Sequence, residues 1–441
     1  CRLGEGVQKT KKLKQDRIEQ SLETLKRFSK IINMAELETV LTIGTAAVRQ
    51  AENAEEFIKP AEKFLKNKIR ILSGTEEANL VARGLTANIP KANGIIADLG
   101  GGSLELVRVE NGKKIESTSL NYGHLRDINE KKFSKTIRGL KWKNDCESQF
   151  FYGVGGSFRA LGLVYKQKNK YPLDILHGLT IPTKKANRIL NKIIKKDGDL
   201  KGLPQSRKAT MSNAAKIMKI VLKDTKSKNI VVCGTSVREG VVLQNLSIRN
   251  VKHDPLIATC EEIAKQSERF FGLATSLESL LKPIITIGDK EELYRLLKAS
   301  CLMADIAWNE HTSSRGIIAA EKILLLPTNS LTHRERAWLA KTLFHRYNRP
   351  IDLVKFPFKV SKILSKEDNY TSLVIGLSLR FAMAACAGLP DLIKNLKLEL
   401  DDNYLKISFL GNTKTLLVDH VYEKLNLLAA SLERELVIEL L

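Results

Sequence analysis

The sequence predicts an α/β fold, followed by an all-helical segment and a small α+β unit. Residues 1–248 alternate short apolar runs of strand length with amphipathic helical patterns, which is typical of an α/β sheet. From about residue 256 to 390, Leu, Ala and Ile recur at helical spacing instead. At about 150 residues per domain, the 441 residues suggest two to four domains.

The strands and helices of the first part follow in order along the chain. Apolar residues at helical spacing predict a helix over 15–32, and consecutive glycines at the centre of 94–109 predict two strands joined by a turn. Two further strands, at 150–154 and 229–233, each run into glycines and then a helix. The remaining predicted elements are strands at 39–43 and 68–72, a helix over 54–65 bent at Pro60, and a long helix over 206–222.

The second part begins after a predicted linker at Val251-Lys-His-Asp-Pro255. Helices continue to about residue 390, and strands at 396–400 and 404–410 form a predicted hairpin before a helix over 418–432. The predicted domains are 1–115, 116–250, 251–390 and 391–441.

The charge of the chain predicts a polyanionic partner. The net charge is +23 and the isoelectric point about 9.6, which creates a field that attracts polyanions. Nucleic acid, anionic lipid and polyphosphate all fit that charge. Aromatic residues are only 6% and do not interleave with the basic runs, so no specific nucleic-acid binding is expected.

The cysteines and the apolar segments predict a cytoplasmic protein. The six cysteines lie far apart without a C-x-x-C pair, which argues for reduced thiols against a disulfide framework or a zinc site. The first residues are polar and basic, unlike a signal peptide. The most apolar stretch, Leu373 to Leu389, contains Arg380 and indicates a buried helix, so no membrane insertion is expected.

The strongest chemical signal is the segment Asp98-Leu-Gly100-Gly101-Gly102-Ser103-Leu-Glu105 between two predicted strands. Glycines let the main chain approach a phosphate and allow positive φ, so that successive N–H groups can converge on an anion. Asp98 at a strand end can hold a hydrated divalent cation, and Ser103 can add a hydroxyl donor. An ordinary glycine-rich hairpin turn is the alternative, but it requires fewer glycines.

Two further segments are candidates for phosphate contacts. Gly155-Gly156-Ser157 follows a strand and opens a helix, where an anion can bind, although Ser157 could simply cap that helix. Arg49 follows the strand at 39–43 and could form a phosphate fork, or lie on the surface.

Glu77 is the candidate general base. Ser73 and Glu76 have the spacing of a capping box, which explains Glu76 structurally and leaves Glu77 free. Glu77 could then activate water. It could also be one more first-turn carboxylate that interacts with the helix dipole, and spacing alone favours that structural role.

Taken together and in this order, these segments resemble the exopolyphosphatase/guanosine-pentaphosphate phosphohydrolase family. The matching stretches, strongest within 1–248, are Leu3-Gly-Glu-Gly6, Thr45-Ala-Ala-Val-Arg-Gln-Ala-Glu-Asn53, Ser73-Gly-Thr-Glu-Glu-Ala78, Asp98-Leu-Gly-Gly-Gly-Ser-Leu-Glu105, Gly153-Val-Gly-Gly-Ser157 and Val237-Arg-Glu-Gly240.

The resemblance implies an actin/hexokinase/Hsp70-like two-lobed fold followed by a helical HD-like domain. It assigns the catalytic carboxylate to Glu77, and phosphate binding to the loop Gly100–Ser103, to Arg49 and to Gly155–Ser157. It also places Mg²⁺ near Asp98 and Glu105. The implied reaction releases orthophosphate from the end of inorganic polyphosphate, and a homodimer is a further expectation.

The resemblance also shows departures and leaves alternatives. Relatives begin with a D-x-G-S-N-S-x-R phosphate loop, and this chain opens downstream of it at Cys1, which predicts a fragment whose first strands are missing. Asn121-Tyr122-Gly123-His124 replaces the more usual L-P-L-G. In the helical domain Asp305, His311, His333 and His345 could bind a metal, but a vestigial fold without metal is favoured.

The alternative functions are a guanosine pentaphosphate (pppGpp) phosphohydrolase, a non-catalytic polyphosphate or alarmone receptor, and a sugar kinase or ATPase on the same fold. No residue in the sequence discriminates polyphosphate from pppGpp.

Overall fold

The structure, a computed structural model, describes residues 2–140, 150–246, 254–267, 269–270, 272–285, 288–348 and 356–441. The chain divides into two compact units. The first consists of residues 1–171 and 175–251, and the second of residues 172–174 and 252–441.

The first unit is built from strands and helices in alternation. Its strands are β1 (Thr42–Gly44), β2 (Ile69–Ile71), β3 (Gly94–Leu99), β4 (Leu104–Glu110), β5 (Lys113–Leu120), β6 (Phe150–Val154), β7 (Leu179–Pro182) and β8 (Asn229–Val232). Its helices are α1 (Val7–Thr10), α2 (Gln15–Met34), α3 (Ala46–Arg49), α4 (Glu55–Leu65), α5 (Gly74–Asn88), α6 (Glu130–Arg138), α7 (Gly156–Asn169), α8 (Thr183–Lys195), α9 (Gln205–Thr225) and α10 (Val237–Asn245). The α/β pattern predicted from the sequence is confirmed.

A mixed six-stranded sheet organises this unit, in the order β5-β4-β3-β6-β8-β7. Strands β3, β6 and β8 are parallel, while β4, β5 and β7 pair antiparallel with their neighbours. All six strands between Gly94 and Val232 belong to this one sheet. The sheet therefore includes residues on both sides of position 115, where the sequence analysis placed the boundary between two domains.

Each face of the sheet is covered by its own set of helices. On β3, Ile95, Ala97 and Leu99 belong to the core formed with residues of α7, α8 and α9. Ile96 belongs to the opposite core, formed with residues of α5 and α10. This alternation follows from the two-residue period of a strand, and it puts Asp98 on the α5 side.

The N-terminal residues form a smaller layer. Strands β1 and β2 pair in parallel, and the main-chain N–H of Leu72 continues the ladder to the carbonyl of Gly44 at 2.9 Å. Apolar residues of α1, α2 and α4 pack in a separate core that includes Val7, Ile18 and Phe57. Strand β1 leads directly into α3, which carries Arg49.

The second unit is predominantly helical, as predicted, and ends in a three-stranded sheet. Its helices are α11 (Pro255–Ser267), α12 (Leu273–Leu281), α13 (Lys290–Leu302), α14 (Arg315–Leu324), α15 (His333–Tyr347), α16 (Lys366–Cys386), α17 (Pro390–Ile393) and α18 (Asp419–Leu432). Its strands are β9 (Leu396–Leu400), β10 (Tyr404–Phe409) and β11 (Glu435–Leu440), in the order β11-β10-β9. The predicted hairpin is the antiparallel β9–β10 pair.

A buried arginine stabilises the end of α14. The guanidinium of Arg336 donates to four main-chain carbonyls, those of Ile323, Leu324, Leu326 and Thr328. The last carbonyls of a helix have no partner within the helix, and Arg336 supplies donors here beside the main-chain bonds that the carbonyls of Ile323 and Leu326 also accept.

Of the residues considered as metal ligands in this unit, Asp305 and His311 have other partners. Asp305 is 2% exposed and accepts a bidentate pair of bonds from Arg269, at 3.0 and 3.2 Å. His311 bonds to Ser313, and burial lowers the pKa of His345 to about 3. Within the described ranges, no group of three or more His, Cys, Asp or Glu residues could hold a metal ion. The HD-like relationship stays a prediction.

Two further sequence predictions concern thiols and membranes. Cys233, Cys260, Cys301 and Cys386 are free and buried, as predicted, while Cys1 and Cys146 lie outside the described residues. In the part of the chain that the structure covers, no helix combines the length and the apolar character that crossing a bilayer requires. Most of the predicted linker, residues 251–253, also lies outside the described residues.

Candidate active site

The glycine loop joins β3 to β4 in a tight turn, closed by a bond from the N–H of Gly100 to the carbonyl of Ser103 at 3.0 Å. The expected positive φ angles are absent: none of Gly100, Gly101 and Gly102 lies in the left-handed region. Glycine is required here for space instead. A Cβ on Gly101 would lie 2.9 Å from the Leu125 side chain, and one on Gly102 would lie 3.2 Å from Ala46.

A second loop, residues 121–126, closes against the glycine loop. The N–H groups of His124 and Leu125 donate to the carbonyls of Gly100 and Gly101 at 3.1 and 3.0 Å. Gly123 makes this contact possible, because a Cβ there would overlap the Gly101 carbonyl. The two loops therefore form one rigid wall.

Asp98 and Glu105 face each other across the β3–β4 pair. Directly opposite residues of an antiparallel pair project on the same face, where like charges are unfavourable. Glu105 is 1% exposed, and its Oε1 accepts from the Ser119 hydroxyl at 2.9 Å. Its other oxygen, Oε2, is buried without a hydrogen-bond partner among the described residues.

The two carboxyl groups hold protons unusually tightly. Burial and then the charge of Glu77 raise the pKa of Glu105 to about 8, against the hydroxyls of Ser103 and Ser119, which lower it. Burial and the same glutamate raise the pKa of Asp98 to about 7, opposed by Arg159. The charge of Glu77 thus acts on both Asp98 and Glu105, and Asp98 also raises the pKa of Glu105, so a proton or a cation at this pair would be stabilised.

Glu77 lies in the first turn of α5, on the sheet face that carries these carboxylates. The predicted capping box is present: the Ser73 hydroxyl accepts from the N–H of Glu76 at 3.1 Å, and Glu76 accepts from the N–H of Ser73 at 2.8 Å. Glu77 takes no part in the cap and is buried. Burial raises its pKa, and Arg49, at 3.3 Å from its Oε2, opposes that rise.

Helix α5 is held in place by a close crossing with α10. A Cβ on Gly240 would overlap the main-chain carbonyl of Leu80, so only glycine permits this approach. The motif Val237-Arg-Glu-Gly240 is thereby explained structurally, since Glu239 forms a second capping box with Ser236. The motif fixes Glu77 by fixing the helix that carries it.

Arg49 bonds both to the chain just after β2 and to the candidate base. Its guanidinium donates to the main-chain carbonyl of Leu72 and to the carboxylate of Glu77. It is partly buried, with 22% of its side chain exposed, so the surface role considered from the sequence does not apply.

The strand-to-helix turn at Gly155 lies beside Asp98. Gly155 has a φ of +96°, and a Cβ there would lie 2.9 Å from Oδ1 of Asp98, so glycine is required for both reasons. Gly156 lies against the guanidinium of Arg207. Ser157 is buried and gives no cap: Gly155 is the N-cap residue, without a side-chain bond, and the capping role considered for Ser157 is wrong.

Sequence reasoning missed a group of arginines around this cleft. Arg126 lies at its wall and bonds to Gln50, Arg159 faces Asp98, and Arg207 lies close to Arg159 and Arg2. Arg126 lies three residues after Gly123, and that position could have indicated it as a residue of the site. The others could not be singled out among 72 lysines and arginines.

A cleft of about 130 Å³ lies at the glycine loop. Glu77, the glycine loop through Ser103, and Arg126 line it directly. Asp98, Glu105 and Arg49 do not line the cleft themselves but lie next to residues that do. Ser157 is not part of the lining. A glycine-walled cleft with arginines and buried carboxylates belongs to the class of sites that bind phosphate groups.

Comparison with known proteins identifies the family. The model of the Ppx/GppA phosphatase family matches residues 1–248, and that of the exopolyphosphatase C-terminal domain matches residues 257–436. The chain belongs to the Ppx/GppA phosphatase family, and the resemblance stated from the sequence motifs is confirmed. Its actin-like α/β fold with a helical C-terminal region is the fold of that family. Members of the family are hydrolases.

Curated relatives match over part of their length. A bifunctional 3-dehydroquinate synthase/phosphatase from Fusobacterium nucleatum is 29% identical over 272 residues, which cover 56% of this chain and 41% of that protein. A guanosine-5'-triphosphate,3'-diphosphate pyrophosphatase from Aeromonas salmonicida is 23% identical over 312 residues, covering 64% and 61%. The chain thus spans less than two thirds of the length of these relatives.

Solved structures of the family also align. An exopolyphosphatase from Cytophaga hutchinsonii aligns with a TM-score of 0.49 and 20% identity, over 55% of this chain and 86% of that one. A family member from Aquifex aeolicus aligns with a TM-score of 0.45 and 22% identity, over 57% and 87%.

Proposed function

We propose that the protein is an exopolyphosphatase, which hydrolyses the terminal phosphoanhydride bond of inorganic polyphosphate and releases orthophosphate. The observation that carries this proposal is the placement of one buried carboxylate, Glu77, in the same cleft as the glycine loop. The family is one of phosphatases, and the net charge of +23 suits a long polyanion.

Glu77 would act as the general base that orients and deprotonates the attacking water. A base works best when its pKa lies near the working pH, and burial raises the pKa of Glu77 towards that range. Arg49, at 3.3 Å, holds the carboxylate in position and limits the rise. The pairing thus favours the ionised form of a poorly solvated carboxylate.

The glycine loop and the arginines would bind the terminal phosphates. The main-chain N–H groups of Gly101 and Gly102 can donate to phosphate oxygens, because no side chain separates them from the cleft, while that of Gly100 closes the turn. Arg126 adds a guanidinium at the wall, a group that suits the geometry of phosphate. These contacts orient the terminal phosphate towards Glu77 and neutralise negative charge on its oxygens.

Asp98 and Glu105 are the residues that would hold Mg²⁺. The unpartnered Oε2 of Glu105 and the raised pKa values of both groups fit a cation between them. Two carboxylates are a usual protein contribution to a Mg²⁺ site, whose other positions are taken by phosphate and water. When bound, the ion would offset the charge of the phosphate chain.

The test is phosphate release from long-chain polyphosphate with Mg²⁺ by the full-length protein and by its Glu77→Gln variant. The matched control is Glu76→Gln, the same change at the neighbouring residue, where glutamine preserves the capping box. We expect Glu77→Gln to lower kcat by about 10²–10⁴-fold without weakening polyphosphate binding, and Glu76→Gln to retain most activity.

Two results would contradict the proposal. If the wild-type protein binds polyphosphate but releases no phosphate, the protein is a receptor and not an enzyme. If Glu77→Gln turns over at the wild-type rate, Glu77 is not the base.

Guanosine pentaphosphate is the second candidate substrate, since relatives are named guanosine-5'-triphosphate,3'-diphosphate pyrophosphatase. The chemistry at the terminal phosphate would be the same. The ratio of kcat/KM for pppGpp to that for polyphosphate, measured on the wild-type protein, decides between the two substrates.

A further inference from the structure

Gln50 lines the cleft beside the glycine loop. It directly follows helix α3, and its main-chain N–H donates to the carbonyl of Ala46 at 3.1 Å. Ala46 in turn lies against the loop, because a Cβ on Gly102 would lie 3.2 Å from its side chain. The short helix therefore places Gln50 next to the main chain that would bind phosphate.

Both ends of the Gln50 amide are used. Nε2 donates to Oδ1 of Asn121 at 3.1 Å, and Oε1 accepts from Nη2 of Arg126. An amide has a donor end and an acceptor end, so these two bonds together determine which way the group is oriented. Asn121 is one of the residues that replace the more usual L-P-L-G of the family.

Arg126 is held at its main chain as well. Its N–H donates to the carbonyl of Gly123 at 3.0 Å, and its own carbonyl accepts from the amide of Asn213. Its side chain lies beside the glycine loop, because a Cβ on Gly102 would be 3.9 Å from Nη2. A phosphate bound to the N–H of Gly102 would therefore be next to this guanidinium.

The side-chain partner of Arg126 is uncharged, unlike the partners of other partly buried arginines in this protein. Arg269 and Arg295 each bond to a carboxylate at 3.0 Å or less. Among the described residues, no carboxylate forms a salt bridge with Arg126, and the adjacent Asp127 pairs with Lys9 at 3.4 Å instead. An amide oxygen orients a guanidinium without neutralising it, so its charge stays available to an anion.

We propose that Gln50 is a positioning residue: it holds the Arg126 guanidinium at the glycine loop through an uncharged hydrogen bond, which leaves the positive charge of the arginine for the phosphate chain. Asn121 supports Gln50 by fixing the orientation of its amide. This inference rests on the proposed function, because it requires a phosphate chain in this cleft.

The proposal predicts an order of effects that packing alone does not. Glutamate has nearly the size of glutamine, so after Gln50→Glu the side chain still accepts from Arg126, and more strongly. The carboxylate then neutralises the guanidinium and repels the phosphate. Gln50→Ala leaves the charge of Arg126 intact and only frees the guanidinium to move. Glutamate should therefore weaken phosphate binding more than alanine, whereas a residue needed only for its size would tolerate glutamate better.

The experiment is calorimetric titration of tripolyphosphate into the full-length protein carrying Glu77→Gln, which removes the candidate base. Gln50→Ala, Gln50→Glu, Arg126→Ala and the double variant Gln50→Ala/Arg126→Ala are compared in this background. The control is Gln244→Glu, because it makes the same change at an exposed glutamine outside the cleft that also accepts from an arginine, Arg70, at 3.4 Å.

We expect Gln50→Ala to raise the Kd by about threefold to tenfold, the effect of one lost hydrogen bond, and Gln50→Glu to raise it by more than about tenfold. Gln244→Glu should change it by less than about twofold. When Arg126 is already alanine, Gln50→Ala should have almost no further effect, because Gln50 acts through Arg126. Asn121→Ala, at an exposed position, should raise the Kd less than Gln50→Ala does.

Turnover of polyphosphate by the protein with Glu77 gives a second measurement. Gln50 follows Arg49 directly, so a general disturbance of α3 would disrupt the Arg49–Glu77 pair and lower kcat. Loss of a contact that binds the phosphate chain before and during the reaction raises KM instead. We expect both Gln50 variants to raise KM as they raise the Kd, and to change kcat by less than about threefold.

The outcomes separate this inference from the proposed function. Tighter binding by Gln50→Glu than by Gln50→Ala, an equal loss from Gln50→Ala with and without Arg126, or a fall in kcat at unchanged KM overturns the inference, while phosphate release by the wild-type protein is unaffected. The expected order of Kd values without any phosphate release by the wild type contradicts the hydrolase and leaves the inference standing. No binding of tripolyphosphate contradicts both.

Discussion

Replacing Glu105 with glutamine should stabilise the first unit at alkaline pH, although Glu105 belongs to the candidate site. The pKa of Glu105 is about 8 instead of the ordinary 4.5, and at about 1.4 kcal/mol per pH unit this difference corresponds to roughly 5 kcal/mol. Burial is the largest cause of this shift and the charge of Glu77 is the next, and a buried glutamine amide retains part of the burial cost. We therefore expect roughly 2–3 kcal/mol from Glu105→Gln.

The sign of the effect follows from linkage. The folded state binds the proton of Glu105 more tightly than the unfolded state, because its pKa is raised on folding. Stability from this group is therefore present below about pH 4.5 and is lost as the pH rises to about 8. The glutamine variant has no charge to lose, so the two proteins should be similar near pH 4.5 and differ most near pH 8.

The assay is thermal unfolding across this pH range, combined with hydrogen exchange of peptides that cover β3 and β4. A gain of 2–3 kcal/mol corresponds to a rise of about 5–10 °C in the melting temperature of a unit of this size. Millimolar Mg²⁺ should narrow the difference, because a cation between Asp98 and Glu105 stabilises the wild type and has less to bind in the variant.

The control is Glu76→Gln, because folding lowers the pKa of Glu76 where it raises that of Glu105. Its bonds to Arg70 and Ser73 lower the pKa of Glu76 to about 2, so its removal should not stabilise the protein at any pH in this range. A stability difference for Glu105→Gln that does not change with pH, or a variant less stable than the wild type near pH 8, would refute the reasoning.

Three other predictions concern particular contacts. Gly240→Ala should lower the free energy of unfolding by about 1–3 kcal/mol and reduce turnover, because its Cβ pushes α5 away from α10. The control in thermal unfolding and phosphate release is Gly139→Ala, whose added Cβ would lie 3.4 Å from its nearest neighbouring atom. Arg49→Ala should raise the pKa of Glu77 further, so the acid limb of the pH–rate profile moves to higher pH, while Arg49→Lys moves it less. Arg336→Met should remove a donor from four carbonyls of the second unit, of which those of Ile323 and Leu326 keep a main-chain donor, and should destabilise the unit by about 2–3 kcal/mol. The measurement is hydrogen exchange, which should become faster over residues 315–328 and stay unchanged over 94–110.

The local elements of this protein could be predicted because their signals are local. The predicted strand at 150–154 coincides with β6, and the predicted helix over 206–222 lies within α9, Gln205–Thr225. The capping box at Ser73 and Glu76 needs only a spacing of three residues. Strand and helix periods are set by the same few dihedral angles everywhere, so the sequence carries them directly.

The site could be predicted only where a motif resembled a family. The pairing of β3 with β6, and the crossing of α5 with α10, join segments that are far apart in the chain, and no local pattern specifies them. The sequence also did not indicate which charged residues are buried. Glu105 occupies a strand position where a charged residue usually indicates solvent, and the structure puts it at 1% exposure.

One of the two reasons given for glycine in the loop, the positive φ angles, was wrong for a related cause, while the other, the access of the main chain to a phosphate, stays a prediction. Consecutive glycines suggested positive φ angles, a local property, but the structure needs them for the approach of loop 121–126 and of α3. Steric requirements of this kind depend on a partner that is distant in sequence.

The helix that carries the candidate base packs against a serine that bonds to Glu105. Ser119 donates to Glu105 at 2.9 Å, and the same side chain lies against Gly74, where any Cβ would overlap it. Gly74 is the first residue of the helix that carries Glu77. The distance between Glu77 and Glu105 therefore depends on Gly74 having no side chain and on Ser119 having a small one. A substitution that enlarges either residue should separate the base from the carboxylates without removing a charged group. The absence of a side chain at Gly74 therefore sets the distance between the helix of the base and the strand of Glu105.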